Sequence, residues 1–247
     1  MTKTIITIEG NIGTGKSTFT DILKSKWNEI DIIPEPIDTW FSIKDNNGKN
    51  ILQTFYDDMD GWTFRFQIMA TITFMLDLEN ILKTSKSQYI FLDRSLHTGK
   101  NVFEKISYDN GKINTIEHQI YLLLINLYDK YIKKDYNEYH IYLKCDPLIS
   151  YERIKKRGRI EEKDISYDYL ILLNKYHDDW LLKKSSNIIV IDCNESFEND
   201  EKKQDEMIQK IKNKIMFPEK EYITELKNII VIFFILFLYF FFVFFNY

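Results

Sequence analysis

Short apolar runs alternate with longer amphipathic stretches along the chain. The runs are rich in Ile, Leu, Phe and Val, as is typical of buried strands, and the stretches between them show the three- and four-residue spacing of helices. This alternation predicts an α/β fold with a five-stranded parallel sheet flanked by helices on both faces. The predicted strands are 3–8, 31–35, 88–93, 139–143 and 187–191.

The helical pattern is clearest in the middle of the chain. Residues 51–83 are predicted to be mostly helical, with a break near 57–61. Tyr121, Leu124, Leu127 and Tyr128 form one stripe of a helix predicted at 116–134 and are expected to face the core. The other predicted helices are 16–28, 100–105, a segment from Pro147 to Gly158, 167–183 and 200–215.

A glycine-rich loop joins the first strand to the first helix. Positions 10–18 have the G-x-x-x-x-G-K-S spacing of a phosphate-binding loop, and its place between a strand and a helix argues against a chance glycine turn. Glycines let backbone N–H groups point at one anion, Lys16 reaches the β- and γ-phosphates, and Ser17 can bind Mg²⁺. The predicted nucleotide-binding residues are Gly10, Asn11, Gly13, Gly15, Lys16, Ser17 and Thr18.

Two predicted strands end in charged residues. Glu35 lies between Pro34 and Pro36, which restrict the backbone around it. Asp93 suits Mg²⁺, and Arg94 can neutralise phosphoryl charge. Ligands bind at the carboxyl ends of parallel strands, so these groups are expected beside the phosphate loop. The alternatives are an exposed loop acid and a surface ion pair.

The helix after 57–61 carries one amide among aromatic residues. Gln67, Ala70 and Phe74 share one helix face. An amide framed by rings can read the edge of a nucleobase while the rings stack on its face. The alternatives are an ordinary aromatic core and a solvent-facing Gln67.

The most basic segment follows Pro147. Arg153 and Arg157 lie one helical turn apart, Gly158 lets the chain leave the helix, and Arg159 follows. Three guanidiniums converging on a triphosphate would form a lid over ATP. The alternative is a solvated helix end.

Charge and cysteine content narrow the function classes. The formal net charge is −4, from 37 acidic and 33 basic residues mixed along the chain, which does not favour a nucleic acid polymer as partner. Cys145 and Cys193 form neither a disulfide framework nor a set of zinc ligands and indicate buried, reduced thiols. A reducing, cytoplasmic compartment is the expectation.

Over roughly residues 4–215 the chain resembles the deoxyribonucleoside kinases. The resemblance rests on Ile8-Glu9-Gly10-Asn11-Ile12, Pro34-Glu35-Pro36 with Trp40, Tyr56, the Trp62-x-Phe64-x-Phe66-Gln67 helix, Arg94-Ser95 and the segment from Arg153 to Glu162, in that family's order and spacing. It implies a homodimer that phosphorylates the 5′-hydroxyl of a deoxynucleoside with ATP and Mg²⁺.

The resemblance also implies roles for single residues. Glu35 is implied to be the general base near Arg94, Gln67 the reader of the base edge, and Tyr56 with Glu162 the pair that holds the sugar 3′-hydroxyl. The implied base pocket includes Trp40, Phe66, Ala70, Phe74, Gly99 and Phe103, and the implied donor site includes Arg153, Arg157, Arg159 and the loop 194–197 with Glu195 and Phe197.

The chain departs from the family pattern at three positions. Asp93 stands where glutamate is more frequent, and it should still serve Mg²⁺ through water. Phe74 and Gly99 stand where deoxycytidine- and deoxyguanosine-preferring members carry an Arg and an Asp that pair. We therefore expect a thymidine-accepting or broad-range pocket, which the bulk of Phe74 narrows.

The predicted division is a kinase domain at 1–217, a charged linker at 218–228 and a hydrophobic tail at 229–245. The uncharged, Phe-rich tail is only just long enough to span a bilayer and predicts a tail anchor, while read-through past a lost stop codon is the alternative. For the whole chain, the alternatives to a deoxynucleoside kinase are a thymidylate-type monophosphate kinase and a membrane-tethered nucleotide-binding protein without turnover.

Overall fold

The computed structural model describes residues 2–159, 162, 165–183 and 187–217. Its strands are β1 (Lys3–Glu9), β2 (Ile30–Ile33), β3 (Tyr89–Asp93), β4 (Tyr136–Lys144) and β5 (Ile188–Asp192). They form one parallel sheet in the order β2-β3-β1-β4-β5. The predicted α/β class and five-stranded parallel sheet are confirmed.

The helices alternate with these strands along the chain. In the described residues they are α1 (Lys16–Lys26), α2 (Ile37–Ser42), α3 (Ile51–Asp57), α4 (Met59–Thr84), α5 (Leu96–Thr98), α6 (Glu104–Asp109), α7 (Thr115–Tyr131), α8 (Pro147–Arg157), α9 (Tyr167–Leu181) and α10 (Glu201–Met216). A π-helical turn, Gly99–Phe103, joins α5 to α6. The sequence does not predict α2, which is too short to show a helical period. The helix predicted at 100–105 is present, and its first part is the π-helical turn.

Within the described residues, those up to Glu201 form one compact unit that contains the whole sheet, and residues 202–217 belong to a second. Within the first unit, α4 and α7 pack on one face of the sheet, where Leu78 and Tyr121 meet Ile5. Helix α9 covers Tyr142 on the same face, since Tyr142 pairs with Glu9 and side chains four residues apart on a strand, such as Ile5 and Glu9, point to the same face. Helix α1 covers the opposite face through Trp27, whose ring lies 5.6 Å from that of Phe91.

The prediction that Leu127 faces the core is wrong, because 51% of its surface is exposed. Tyr121 and Tyr128 are buried as predicted, Leu124 is half-buried, and Ile125 lies in the core. Helix α7 is apolar on two faces, so periodicity alone could not identify the buried one. The outer face forms an exposed stripe of Ile116, Ile120, Leu123, Leu127 and Tyr131.

The linker 218–228 and the tail 229–245 lie outside the described residues. Among the residues that are described, none belongs to a helix both long and apolar enough to cross a membrane.

Candidate active site

The phosphate loop folds where the sequence predicts it, between β1 and α1. Gly13 has φ +81, and a Cβ there would lie 2.6 Å from the carbonyl oxygen of Ser150, so a side chain would be both strained and blocked. The Lys16 ammonium donates to the Gly10 oxygen at 3.1 Å and to the Asn11 oxygen at 2.9 Å. The loop therefore curls around a cation at a helix N-terminus, as anion-binding loops do.

Buried polar contacts brace this loop. The Asn11 amide donates to the Leu170 oxygen of α9 at 2.8 Å. Glu9 is fully buried and accepts a hydrogen bond from the Thr98 hydroxyl at 2.5 Å. The loop is thus tied to α9 and α5, while Ser17 in the first turn of α1 stays exposed and the neighbouring Thr18 is half-buried.

Lys16 lies in a field of opposing charges. Burial lowers the pKa of Lys16 to about 8, and the Arg94 cation lowers it further, while Asp93, Glu35 and Glu9 act in the opposite direction. These groups come from the carboxyl ends of β1, β2 and β3, so the structure brings together the charged strand ends that the sequence predicts.

Glu35 and Arg94 form an ion pair, with Arg94 Nε 3.0 Å from Glu35 Oε1. The Arg94 side chain is only 13% exposed, and its guanidinium lies 4.9 Å from the ring centre of Phe103. Its backbone has φ +69, a left-handed conformation that is costly for a residue with a Cβ. Such strain is concentrated at functional sites, which fits a side chain held in one position over the sheet edge.

The predicted aromatic walls gather around the start of α4. The Trp40 and Phe66 rings meet edge to face at 5.3 Å, and Phe66 stacks on Phe55 at 4.7 Å. The Trp40 indole donates to the Thr73 hydroxyl at 2.9 Å, which fixes its orientation. Ala70 is half-buried on the same helix.

Two predicted pocket residues have different surroundings. Gly99 lies close to Gln67, whose Oε1 would be 3.9 Å from a Cβ at position 99. Phe74 packs against the core cluster and borders a small cavity lined by Pro34 and Pro36. Phe74 therefore lines the same cavity as the two prolines that flank Glu35.

The three predicted lid arginines do not point to one place. Arg157 binds Glu162 through both carboxylate oxygens, at 2.5 and 2.6 Å, and Arg159 lies 3.8 Å from the same group. Arg153 instead lies 3.5 Å from Cys145 Sγ and donates to the Asn194 oxygen at 3.1 Å. Arg153 thus joins α8 to the 194–197 loop.

The two predicted residues of that loop differ in exposure. Glu195 is exposed, so its side chain is accessible to a bound nucleotide. Phe197 is 3% exposed and packs beneath the phosphate loop, where its ring would lie 3.1 Å from a Cβ at Gly15. Its ring also meets that of Phe19 of α1 edge to face.

Sequence reasoning missed two residues of α9 near the charged edge. Tyr169 is 37% exposed, and partial removal of its hydroxyl from water raises its pKa; the Arg94 charge opposes this shift, and the predicted sugar-binding Tyr56 reinforces it. Burial lowers the pKa of His177 to about 3, and its Nδ1–H donates to the Leu173 oxygen at 2.7 Å, so the ring is neutral. Both positions look like ordinary helix residues, and only the fold brings them to the site.

The chain is similar to known proteins over most of its length. A family model for the deoxynucleoside kinases matches residues 6–216. Deoxycytidine kinase 2 of Gallus gallus is 34% identical over 238 residues, covering 84% of this chain and 89% of that protein. Deoxycytidine kinase of Homo sapiens is 30% identical, with 84% and 89% covered. The mitochondrial deoxyguanosine kinase of Xenopus laevis is 28% identical, with 84% and 88% covered.

Proposed function

The chain belongs to the deoxynucleoside kinase family, and we propose that it transfers the γ-phosphoryl group of ATP to the 5′-hydroxyl of a deoxyribonucleoside. The observation that carries this proposal is the Glu35–Arg94 ion pair beside Lys16. It combines a proton acceptor with two cations at the edge where the phosphate loop begins.

In this proposal Glu35 is the general base. Its carboxylate accepts the proton of the 5′-hydroxyl as that oxygen bonds to the γ-phosphorus and the bond to ADP breaks. Arg94 holds the carboxylate in place at 3.0 Å. Lys16 and the N-terminus of α1 stabilise the phosphate charge, and Arg157 and Arg159 add cations from the lid.

The residues present fit a Mg²⁺ ion. Asp93 Oδ1 is buried, and within the described part of the chain no group hydrogen bonds to it. Asp93 and the Ser17 hydroxyl would hold the ion, directly or through water, and the ion would neutralise phosphate charge.

A radiolabelled-ATP assay tests the proposal with thymidine, deoxycytidine, deoxyadenosine, deoxyguanosine and thymidylate as acceptors. Deoxynucleosides should be phosphorylated and thymidylate should not, because Glu35 repels an acceptor's own phosphate. Glu35→Gln should lower kcat by about 10²- to 10⁴-fold. Asp38→Asn, an exposed acid on α2, is the control and should keep full activity. Preference for thymidylate over thymidine would replace this function with monophosphate kinase activity.

We further propose a thymidine-accepting or broad-range base pocket. Its support is that Phe74 and Gly99 bring no charge to the pocket, while the relatives named above are deoxycytidine and deoxyguanosine kinases. We expect kcat/KM for thymidine within about tenfold of that for deoxycytidine. A preference for deoxycytidine above about a hundredfold would contradict this expectation.

We also propose that two copies of the chain pair through the exposed stripe of α7. The side chains of this stripe are 46–72% exposed and lie on one helix face. Helices that present such stripes bury them against a partner helix. Leu123→Lys should convert a dimer to a monomer in sedimentation experiments, whereas Leu148→Lys, an equally large exposed leucine on α8, should not.

A further inference from the structure

Gly99 is a glycine that its backbone does not require. Its φ of −53° and ψ of −57° are ordinary helical values, which any residue adopts. Glycine inside a helix is less stable than alanine, so a glycine here needs another cause. The cause is a neighbour, because a Cβ at position 99 would lie 2.6 Å from the hydroxyl oxygen of Tyr121.

The Tyr121 hydroxyl cannot move away from this position. Tyr121 is fully buried in the core between α7 and the sheet, and Thr71 of α4 donates a hydrogen bond to its hydroxyl at 3.4 Å. Burial raises the pKa of this phenol, so the hydroxyl is neutral. The ring carbon that carries it, Cζ, would be 3.9 Å from the same Cβ, an ordinary contact. The single oxygen atom is therefore what excludes a side chain at position 99.

The excluded space borders the predicted base-reading amide. Gln67 Oε1 would lie only 3.9 Å from a Cβ at position 99, so a side chain longer than alanine at position 99 could reach Gln67. The π-helical turn that begins at Gly99 also carries Phe103, the residue under the Arg94 guanidinium. Whatever stands at position 99 therefore faces the end of the pocket where Gln67 meets the base.

We propose that Tyr121 sets a steric limit on base specificity: its hydroxyl excludes a side chain at position 99 and so keeps the wall beside Gln67 neutral. This inference rests on the proposed deoxynucleoside kinase function. A wall without a carboxylate does not repel the 4-oxo group of thymine, so the pair favours acceptance of thymidine. A carboxylate cannot be introduced at position 99 while the hydroxyl of Tyr121 remains.

Four full-length proteins test this coupling: wild type, Gly99→Ala, Tyr121→Phe and the double variant. Gly99→Ala should lower kcat/KM for thymidine by about tenfold or more, mainly through KM, because the methyl group overpacks the site. Tyr121→Phe should stay within about threefold of wild type, and the double variant should recover to the same level, because only Cζ then faces the methyl group. Tyr128→Phe, a buried tyrosine on the same helix, is the control and should not rescue Gly99→Ala.

A charged pair of variants tests specificity directly. Gly99→Asp should be impaired on every base, while Gly99→Asp with Tyr121→Phe should regain activity and shift its thymidine-to-deoxycytidine ratio toward deoxycytidine by about tenfold or more. Additive effects, or a fully active Gly99→Ala, would overturn the inference. The melting temperatures of wild type, Gly99→Ala, Tyr121→Phe and the double variant measure the coupling between positions 99 and 121 without a kinase assay. A wild type that phosphorylates no deoxynucleoside would therefore refute the proposed function without refuting this coupling.

Discussion

Arg94 combines a functional side chain with a left-handed backbone, and two substitutions separate these properties. Arg94→Ala and Arg94→Gly both remove the guanidinium from Glu35 and Phe103. Both should therefore reduce kcat by about 10²- to 10³-fold. The two variants differ in backbone strain, because alanine still pays the free-energy cost of the left-handed conformation at φ +69 and glycine does not.

The size of that difference follows from two opposing effects. The left-handed conformation costs a residue with a Cβ about 1–2 kcal/mol, and the greater freedom of glycine in the unfolded chain offsets about 0.4–1 kcal/mol of this. Arg94→Gly should therefore be more stable than Arg94→Ala by about 1 kcal/mol, or about 2–4 °C in Tm for a chain of this size.

Thermal unfolding followed by circular dichroism measures this difference, and the kinase assay measures the shared loss of activity. The control is Glu152 of α8, an exposed residue within a regular helix, where the glycine variant should be the less stable one. If Arg94→Ala proved as stable as Arg94→Gly while the control behaved normally, the left-handed backbone would carry no strain.

Four further changes test other parts of the structure. Lys16→Ala and Arg157→Ala should each slow phosphoryl transfer by about tenfold or more. An Arg157→Ala enzyme with unchanged activity would show that the basic segment is only a solvated helix end. Glu104 is fully buried, and burial raises the pKa of its carboxyl above the ordinary 4.5 against the opposing effect of His118. Because the folded-state pKa is raised, the stability that Glu104 contributes is complete below about pH 4.5 and is lost as the pH rises. Glu104→Gln should therefore raise Tm at about pH 8 and much less at about pH 4.5. The exposed control Glu152→Gln should show no such pH dependence. Removal of residues 218–247, which lie beyond the matched family region, should leave kcat and KM unchanged, and a large loss would show that the kinase domain extends past 217.

The parts of the fold that could be predicted depend on local pattern. Apolar strands and the glycine loop are visible because burial and a tight anion-binding turn each demand particular residues in sequence. The meeting of Glu35 and Arg94 could also be predicted, since the carboxyl ends of neighbouring parallel strands share one edge. Their separation and the strain at Arg94 depend on packing that no local pattern records.

The remaining features depend on which of several similar faces is buried. Leu127 and Ile125 are equally apolar, and only the packing of α7 on the sheet decides between them. Arg153 and Arg157 share a helix face, yet Arg153 donates to the loop after β5 and Arg157 to an acidic side chain. Tyr121 reads as core in the sequence, and its effect on Gly99 becomes visible only when the two helical segments are placed side by side.

If Arg157 and Glu162 have the proposed roles, their ion pair makes the binding of the two substrates thermodynamically interdependent. Under the proposed roles, Arg157 is the ligand of ATP phosphates and Glu162 that of the sugar 3′-hydroxyl, yet the two side chains bind each other at 2.5 Å. Whichever substrate arrives first separates the pair and leaves the other partner available. Linkage requires that this help be mutual and equal, so ATP should tighten deoxynucleoside binding by the same factor by which the deoxynucleoside tightens ATP binding.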